Sequence, residues 1–166
     1  MTHISELLDP RLVRCRFPIK SRKRLLQAIA EAITEDSLEN EGAAVDAYEA
    51  LMERERLGST GLGQGVAIPH CRMPVPHMRG MLLTLDAPID YEASDGVDID
   101  LVFVLVVPIK ETRLHIEALK RLATIFNEES NLAQLRAAPS AADLLATFRK
   151  LDEAEDDHSK FASQSA

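Results

Sequence analysis

Apolar residues recur along the chain with two periods, and the switches between them mark its elements. Leu25, Leu26, Ile29 and Ile33 fall at helical spacing behind Ser21, which predicts a helix capped by Ser21 and running to about Glu35. A second helix is predicted from about Glu41 to Leu57, with Ala44, Val45, Tyr48, Leu51 and Met52 as its apolar stripe and Gly58 as its stop. Before them, Ile4 to Leu8 forms a helical turn that ends near Pro10, and Leu12 to Phe17 alternates like a short strand. Met81 to Leu85 is another strand. Ile99 to Val107 is almost unbroken aliphatic sequence closed by Pro108, the pattern of a central strand buried on both faces. Residues 89–98 between them read as a loop.

Thr112 is placed to cap a helix to about Asn127, with His115 in its first turn and His115, Leu119, Leu122, Ala123 and Phe126 on one face. A short helix covers about Asn131 to Ala137, and Ser140 with Asp143 forms a capping box for a last helix to about Leu151. Acidic and then Ser/Ala-rich sequence follows, so a single domain is expected over residues 1–152 and a disordered tail over 153–166. Helices and strands alternate around one sheet, which makes the class α/β.

Composition narrows the setting. Apolar residues make up 46% of the chain but aromatic ones only 4%, so the core must be aliphatic. No apolar run reaches the ~18 residues of a membrane helix. The start lacks the pattern of a signal peptide, and Cys15 and Cys71 lie far apart, in keeping with a reducing cytoplasmic location. A net charge of −8 argues against broad nucleic-acid binding. The basic run Arg11, Arg14, Arg16, Lys20, Arg22, Lys23 and Arg24 carries no aromatic residue to stack bases and reads as a solvated face or a protein-docking rim.

The candidate chemistry lies between Arg54 and Pro74. Gly58, Gly61, Gly63 and Gly65 crowd into a loop, a short apolar stretch follows, and Pro69 stiffens the chain just before His70. The glycine spacing is not that of a dinucleotide fold, no Gly-Lys-Ser/Thr occurs, and no nucleophile elbow is present, so no cofactor is expected. His70, Cys71, His77 and His115 match no zinc spacing. A histidine that accepts a phosphoryl group fits better: one ring nitrogen attacks while the other is held by a hydrogen bond. Arg54, Arg72, Ser59, Thr60 and the N–H groups of the glycine loop at Gly61, Gly63 and Gly65 can supply donors for the phosphoryl oxygens. His115 reads either as a second imidazole on the same phosphate or as a core-edge histidine packed near Leu119.

Glu55, six further residues, and then Leu62-Gly63-Gln64-Gly65-Val66-Ala67-Ile68-Pro69-His70-Cys71 resemble the active-site signature of the fructose/mannitol-type IIA components of the bacterial phosphotransferase system. The longer stretch Arg54-Glu-Arg-Leu-Gly-Ser-Thr-Gly-Leu-Gly-Gln-Gly-Val-Ala-Ile-Pro-His is similar to the nitrogen-regulatory branch, and the likeness extends from the Ser21 helix to the last helix. The resemblance implies a mixed sheet of about five strands flanked by helices on both faces. It implies that His70 takes a phosphoryl group on its Nε2 (tele) nitrogen from a phosphorylated HPr-type protein. It casts His115 as a site-shaping second histidine and Arg54 as the arginine beside the phosphohistidine, with Arg72 at an often basic position. Cys71 stands where many members carry glycine. With no IIB-like cysteine motif and no membrane segment, the expected output is regulatory, through partners such as potassium-transport or sensor-kinase proteins. The alternatives are a sugar-specific IIA that feeds a separate IIB, and a binding module in which His70 is never phosphorylated.

Overall fold

The computed structural model describes residues 3–35 and 42–164. In chain order these form a 3-10 turn (Ile4–Leu7), strand β1 (Leu8–Phe17), helices α1 (Arg22–Ile33) and α2 (Ala43–Arg56), and strands β2 (Gly61–Gly63), β3 (Val66–Ala67), β4 (His70–Met73), β5 (Arg79–Ile89) and β6 (Ile99–Pro108). Helices α3 (Leu114–Phe126), α4 (Glu129–Ala137) and α5 (Ala141–Gln164) complete the chain. The strands make one mixed sheet in the order β1-β5-β6-β3-β2. Strand β4 also pairs with β6, so β3 and β4 lie end to end along the same neighbour: Val66 sits opposite Leu101 and His70 opposite Leu105, both parallel.

Strand β6 is buried on both faces, and its side-chain alternation sorts the core. Leu101, Phe103, Leu105 and Val107 join Ala118, Leu122, Phe126, Leu135 and Phe148 beneath α3, α4 and α5. Val102, Val104 and Val106 join Leu25, Ile29, Ala47 and Leu51 beneath α1 and α2. Cys71 and Met73 belong to the second cluster, so the intervening His70 and Arg72 face the α3 side. Few aromatics are needed because aliphatic strand residues fill both layers. Three phenylalanines cluster in the first layer, where Phe103, Phe126 and Phe148 pack with ring centroids 5.4–6.4 Å apart, while Tyr91 is buried in the second.

Several expectations need correction. The first turn ends at Leu7 as expected, but the strand after it starts at Leu8 rather than Leu12, and Pro10 lies inside it, on an edge strand where a missing N–H is tolerated. Glu41, the expected start of the second helix, lies outside the described residues. The buried stripe of α2 is Ala43, Ala47, Leu51 and Glu55, while Val45 points to solvent; the helix turns its small residues inward to approach α1. Thr112 does not cap α3, because the carboxylate of Glu111 does so instead.

The acidic tail expected from residue 153 is a continuation of α5 to Gln164. Its composition reads as solvation, but two of the carboxylates in this region neutralise a cation in the interior. Asp152, fully buried, accepts from Nε of Arg121 at 2.7 Å and from the N–H of Ser5 at 2.9 Å. Asp156 pairs with Arg121 at 2.7 Å and with His3 at 3.1 Å. The helix is thereby locked to α3 and to the N-terminal turn. Replacing Asp152 with Ala strands the Ser5 N–H and leaves Arg121 with one carboxylate, and should lower stability by about 3 kcal/mol in urea unfolding. An unchanged midpoint would mean that the end of α5 and the N-terminal turn are not coupled.

Candidate functional site

Strand β3 ends at Ala67 and β4 begins at His70, so Ile68 and Pro69 form a short step along the edge of β6. Proline fixes its own φ, and the step brings the ring of His70 back over the chain: Nδ1 lies 2.9 Å from the carbonyl oxygen of Ile68. A carbonyl only accepts, so Nδ1 carries the proton and the lone pair sits on Nε2. Nε2 in turn receives the Nε–H of Arg54 at 3.1 Å. Burial and then the positive charge of Arg54 outweigh the Ile68 hydrogen bond and Glu55, which act the other way, and the pKa of His70 falls below the ordinary histidine value. The ring is therefore a neutral base at neutral pH.

Arg54 comes from the last turn of α2, which reaches round the outer edge of β4. Its Nη1 also binds the carbonyl of Gly58 at 2.8 Å, tying the helix end to the loop. The neighbouring Glu55 anchors this turn from inside the protein. Its buried carboxylate accepts from the Thr60 N–H at 3.1 Å, from the Thr60 hydroxyl, and from the Tyr91 hydroxyl at 2.8 Å. Burial, and next the charge of Glu55, push the Tyr91 phenol well above its usual range, so it stays a neutral donor. Arg22 lies over the Tyr91 ring, 5.9 Å from its centroid.

This network changes the reading of the glycine loop. Thr60 is turned into the Glu55 pocket, and the Ser59 hydroxyl accepts from the N–H of Gly61 at 3.1 Å, so neither hydroxyl is aimed at His70. Gly61 and Gly63 belong to β2, which folds back on β3. The tip of that hairpin lies about 13 Å along the sheet from His70, four residues at strand spacing. Gly61 and Gly65 are there for close packing. A side chain at Gly61 would meet the Cβ of Ala93 at 2.8 Å, and one at Gly65 (φ +82°) would meet Nη2 of Arg136 at 2.6 Å. The basic run behaves similarly. Leu8 is level with Gly80 and His70, and the chain then runs toward Phe17 at the other end of the sheet, so the cations around Lys20 lie away from His70.

On the α3 side, His115 sits in the first helical turn with Nδ1 2.8 Å from Oε2 of Glu111. The same carboxylate accepts from the N–H groups of Arg113 (2.8 Å), Leu114 and His115 (3.1 Å). Burial works against the charge on Glu111, but the hydrogen bonds from the His115 ring and these N–H groups together bring its pKa down to about 2. Arg72 does not turn toward His70. Its Nη1 binds the carbonyls of Pro108 (3.2 Å), Ile109 (3.2 Å) and Glu111 (2.6 Å), clasping the loop that carries Glu111. Cys71 points into the opposite core, where burial pushes its thiol up to about 12, and His77 is exposed in the β4–β5 connection. Of the residues singled out in the sequence, the structure brings Arg54 onto the His70 ring and sets His115 against Glu111; Glu55 as an anchor, Tyr91 and Glu111 were missed. For Glu111 a signal existed: a carboxylate four residues before a histidine at a helix start.

Residues 6–151 match the family model described as "Phosphoenolpyruvate-dependent sugar phosphotransferase system, EIIA 2". A nitrogen regulatory protein homolog of Haemophilus influenzae is 37% identical over 155 residues, covering 92% of this chain and 94% of that protein. A nitrogen regulatory protein of Pseudomonas aeruginosa is 38% identical over 149 residues, covering 87% and 93%. The crystal structure of nitrogen regulatory protein IIA-Ntr from Neisseria meningitidis has a TM-score of 0.80 at 36% identity, over 87% of this chain and 98% of that one. The mannitol IIA of Escherichia coli, with a TM-score of 0.63 at 18% identity over 79% of this chain and 91% of that one, shares the fold.

The charge of Arg54 opposes protonation of His70, which gives a signed test. In an NMR titration the imidazole of His70 should titrate below the ordinary value of about 6.5, and Arg54→Gln should move the midpoint upward. A midpoint that stays put or falls would show that the guanidinium does not act on this ring.

Proposed function

The chain belongs to the EIIA type-2 family of the phosphotransferase system, with nitrogen regulatory proteins among its relatives, and we propose that it is a phosphocarrier whose His70 accepts a phosphoryl group from a phosphorylated HPr-type protein. The observation that carries this reading is the tautomer of His70. With the Nδ1 proton held by Ile68, the nucleophilic lone pair is on Nε2, at the partly buried mouth of the site. In the transfer, Nε2 bonds to phosphorus as the bond between phosphorus and the donor's imidazole nitrogen breaks, and that nitrogen leaves with the electron pair. Nδ1 keeps its proton throughout, hydrogen-bonded to the Ile68 carbonyl. Arg54 gives up the lone pair it now covers and turns to the phosphoryl oxygens, while His115 approaches them from the other side. The glycine hairpin and Glu55 act by holding the end of α2 in place.

The surroundings support a protein rather than a small molecule as the donor. Leu57 beside the Arg54 turn, Ile109 on the loop held by Arg72, and Leu114 beside His115 are all exposed, Leu57 at 84%. Apolar side chains around a polar, partly buried histidine suit a docking rim for another protein. Phosphorylation adds about −1.5 to −2 charge to that rim, enough to change which partner docks, and the output is regulatory. Potassium-transport and sensor-kinase proteins are the partner classes this reading favours. Among the described residues no helix is long and apolar enough to cross a membrane, and the cysteines are free, in keeping with a cytoplasmic setting.

Incubated with a phosphorylated HPr-type carrier, the wild type should gain an acid-labile phosphoryl mass and His70→Ala should not. His115→Ala should still form the adduct, but more slowly. An adduct on His70→Ala, or none on the wild type with an active donor, would refute the phosphocarrier reading.

A further inference from the structure

His115 is tied on one side only, and the tie is a carboxylate. Glu111 is ionised, so it can only accept, and Nδ1 of His115 at 2.8 Å must carry the proton. Its Nε2 is then the ring atom left to meet a phosphoryl group. The same carboxylate satisfies three N–H groups at the start of α3, so it cannot rotate away without uncapping the helix. Its backbone is fixed in turn by Arg72, through the three carbonyls of Pro108, Ile109 and Glu111. The connection from the strand that bears His70 to the ring of His115 is therefore continuous: Arg72, the loop, Glu111, His115.

We propose that Glu111 is the positioning residue of this site, fixing the tautomer of His115 and serving as its counter-charge when the ring donates to the phosphoryl group, with Arg72 holding the loop in register. The kinetic part of the proposal rests on His70 being the phosphoryl acceptor. A phosphoryl oxygen needs a donor, and a neutral His115 with its proton on Nδ1 offers only a lone pair from Nε2. The ring must take a second proton from solvent, so that Nδ1–H stays on Glu111 and Nε2–H points at the phosphoryl oxygen. A carboxylate within hydrogen-bond reach is what stabilises that cation next to the cationic Arg54. No proton passes to the phosphoryl group. The contrast with His70 lies in the acceptor: an uncharged carbonyl holds Nδ1 there, whereas a carboxylate holds it here.

The test has a part that needs no phosphoryl donor. Ring nitrogen NMR of the unphosphorylated wild type should find the proton of the neutral His115 ring on Nδ1; a neutral ring with its proton on Nε2 and none on Nδ1 would overturn the proposal. In phosphoryl transfer, Glu111→Gln, which keeps an oxygen for the helix N–H groups but not the charge, should be slower by about 10- to 100-fold. Because Glu111 acts through His115, the double variant with His115→Ala should be no slower than His115→Ala alone. Full-rate transfer by Glu111→Gln, or losses that multiply in the double variant, would overturn the role. If the wild type took no phosphoryl group at all, the acceptor reading of His70 would fail and the kinetic role with it, while the NMR result would still decide the tautomer.

Discussion

Strand β6 presents aliphatic side chains to helices on both sides, so polar chemistry can be placed only where the strand ends. Its last residues pair with β4, and there the burial that keeps the core dry stops abruptly. His70 begins the strand beside it, Arg72 reaches across its last carbonyl, and Glu111 in the following loop and His115 in the first turn of α3 come next. A strand with a solvated face would have let these groups spread along the sheet. Burial on both faces gathers them at one rim, with hydrophobic walls that strengthen each charge interaction.

Within that rim, two imidazoles are held in the same way by different acceptors. Each donates Nδ1–H to an oxygen about 2.8–2.9 Å away, and each thereby turns Nε2 outward. The acceptor decides the chemistry. The Ile68 carbonyl brings no charge, and burial together with Arg54 favours the neutral ring of His70 with its lone pair on Nε2. Glu111 brings a full negative charge, held there by the helix N–H groups it caps. In the proposed transfer the phosphoryl oxygens are met by Arg54 from α2 and by His115 from α3, one from each helical layer. The second layer of support is just as specific: a buried Glu55 fixes the turn that carries Arg54, and Arg72 fixes the loop that carries Glu111.

The sheet and the local setting of His70 were legible in the sequence because they rest on local patterns. The aliphatic run of β6, the Ser21 cap of α1 and the Pro69–His70 step are each specified within a few residues. What was not legible depends on partners far away in the chain. The hydroxyls of Ser59 and Thr60 look like phosphate donors until Tyr91 and Glu55 are placed beside Thr60. The acidic stretch after Leu151 looks like a solvated tail until Arg121 and the N-terminal turn are found against Asp152 and Asp156. Thr112 has the better propensity for a cap, yet Glu111 takes that role because its longer side chain can bind the helix N–H groups and the His115 ring together. Gly61 marks close packing against Ala93 and Gly63 and Gly65 mark positive φ at a hairpin turn, and their nearness to His70 in sequence does not carry over to nearness on the sheet.

The most direct measurement is the position of the phosphorus on the ring of His70. With the ring nitrogens isotopically labelled, nitrogen–phosphorus coupling in the phosphorylated protein identifies the bonded atom without any assumption about rates. A phosphoryl group on Nε2, with Nδ1 still protonated, is the predicted result, because Ile68 leaves no other nitrogen free. A phosphoryl group on Nδ1 would contradict it, since the hydrogen bond that defines the nucleophile would have to break before the reaction began.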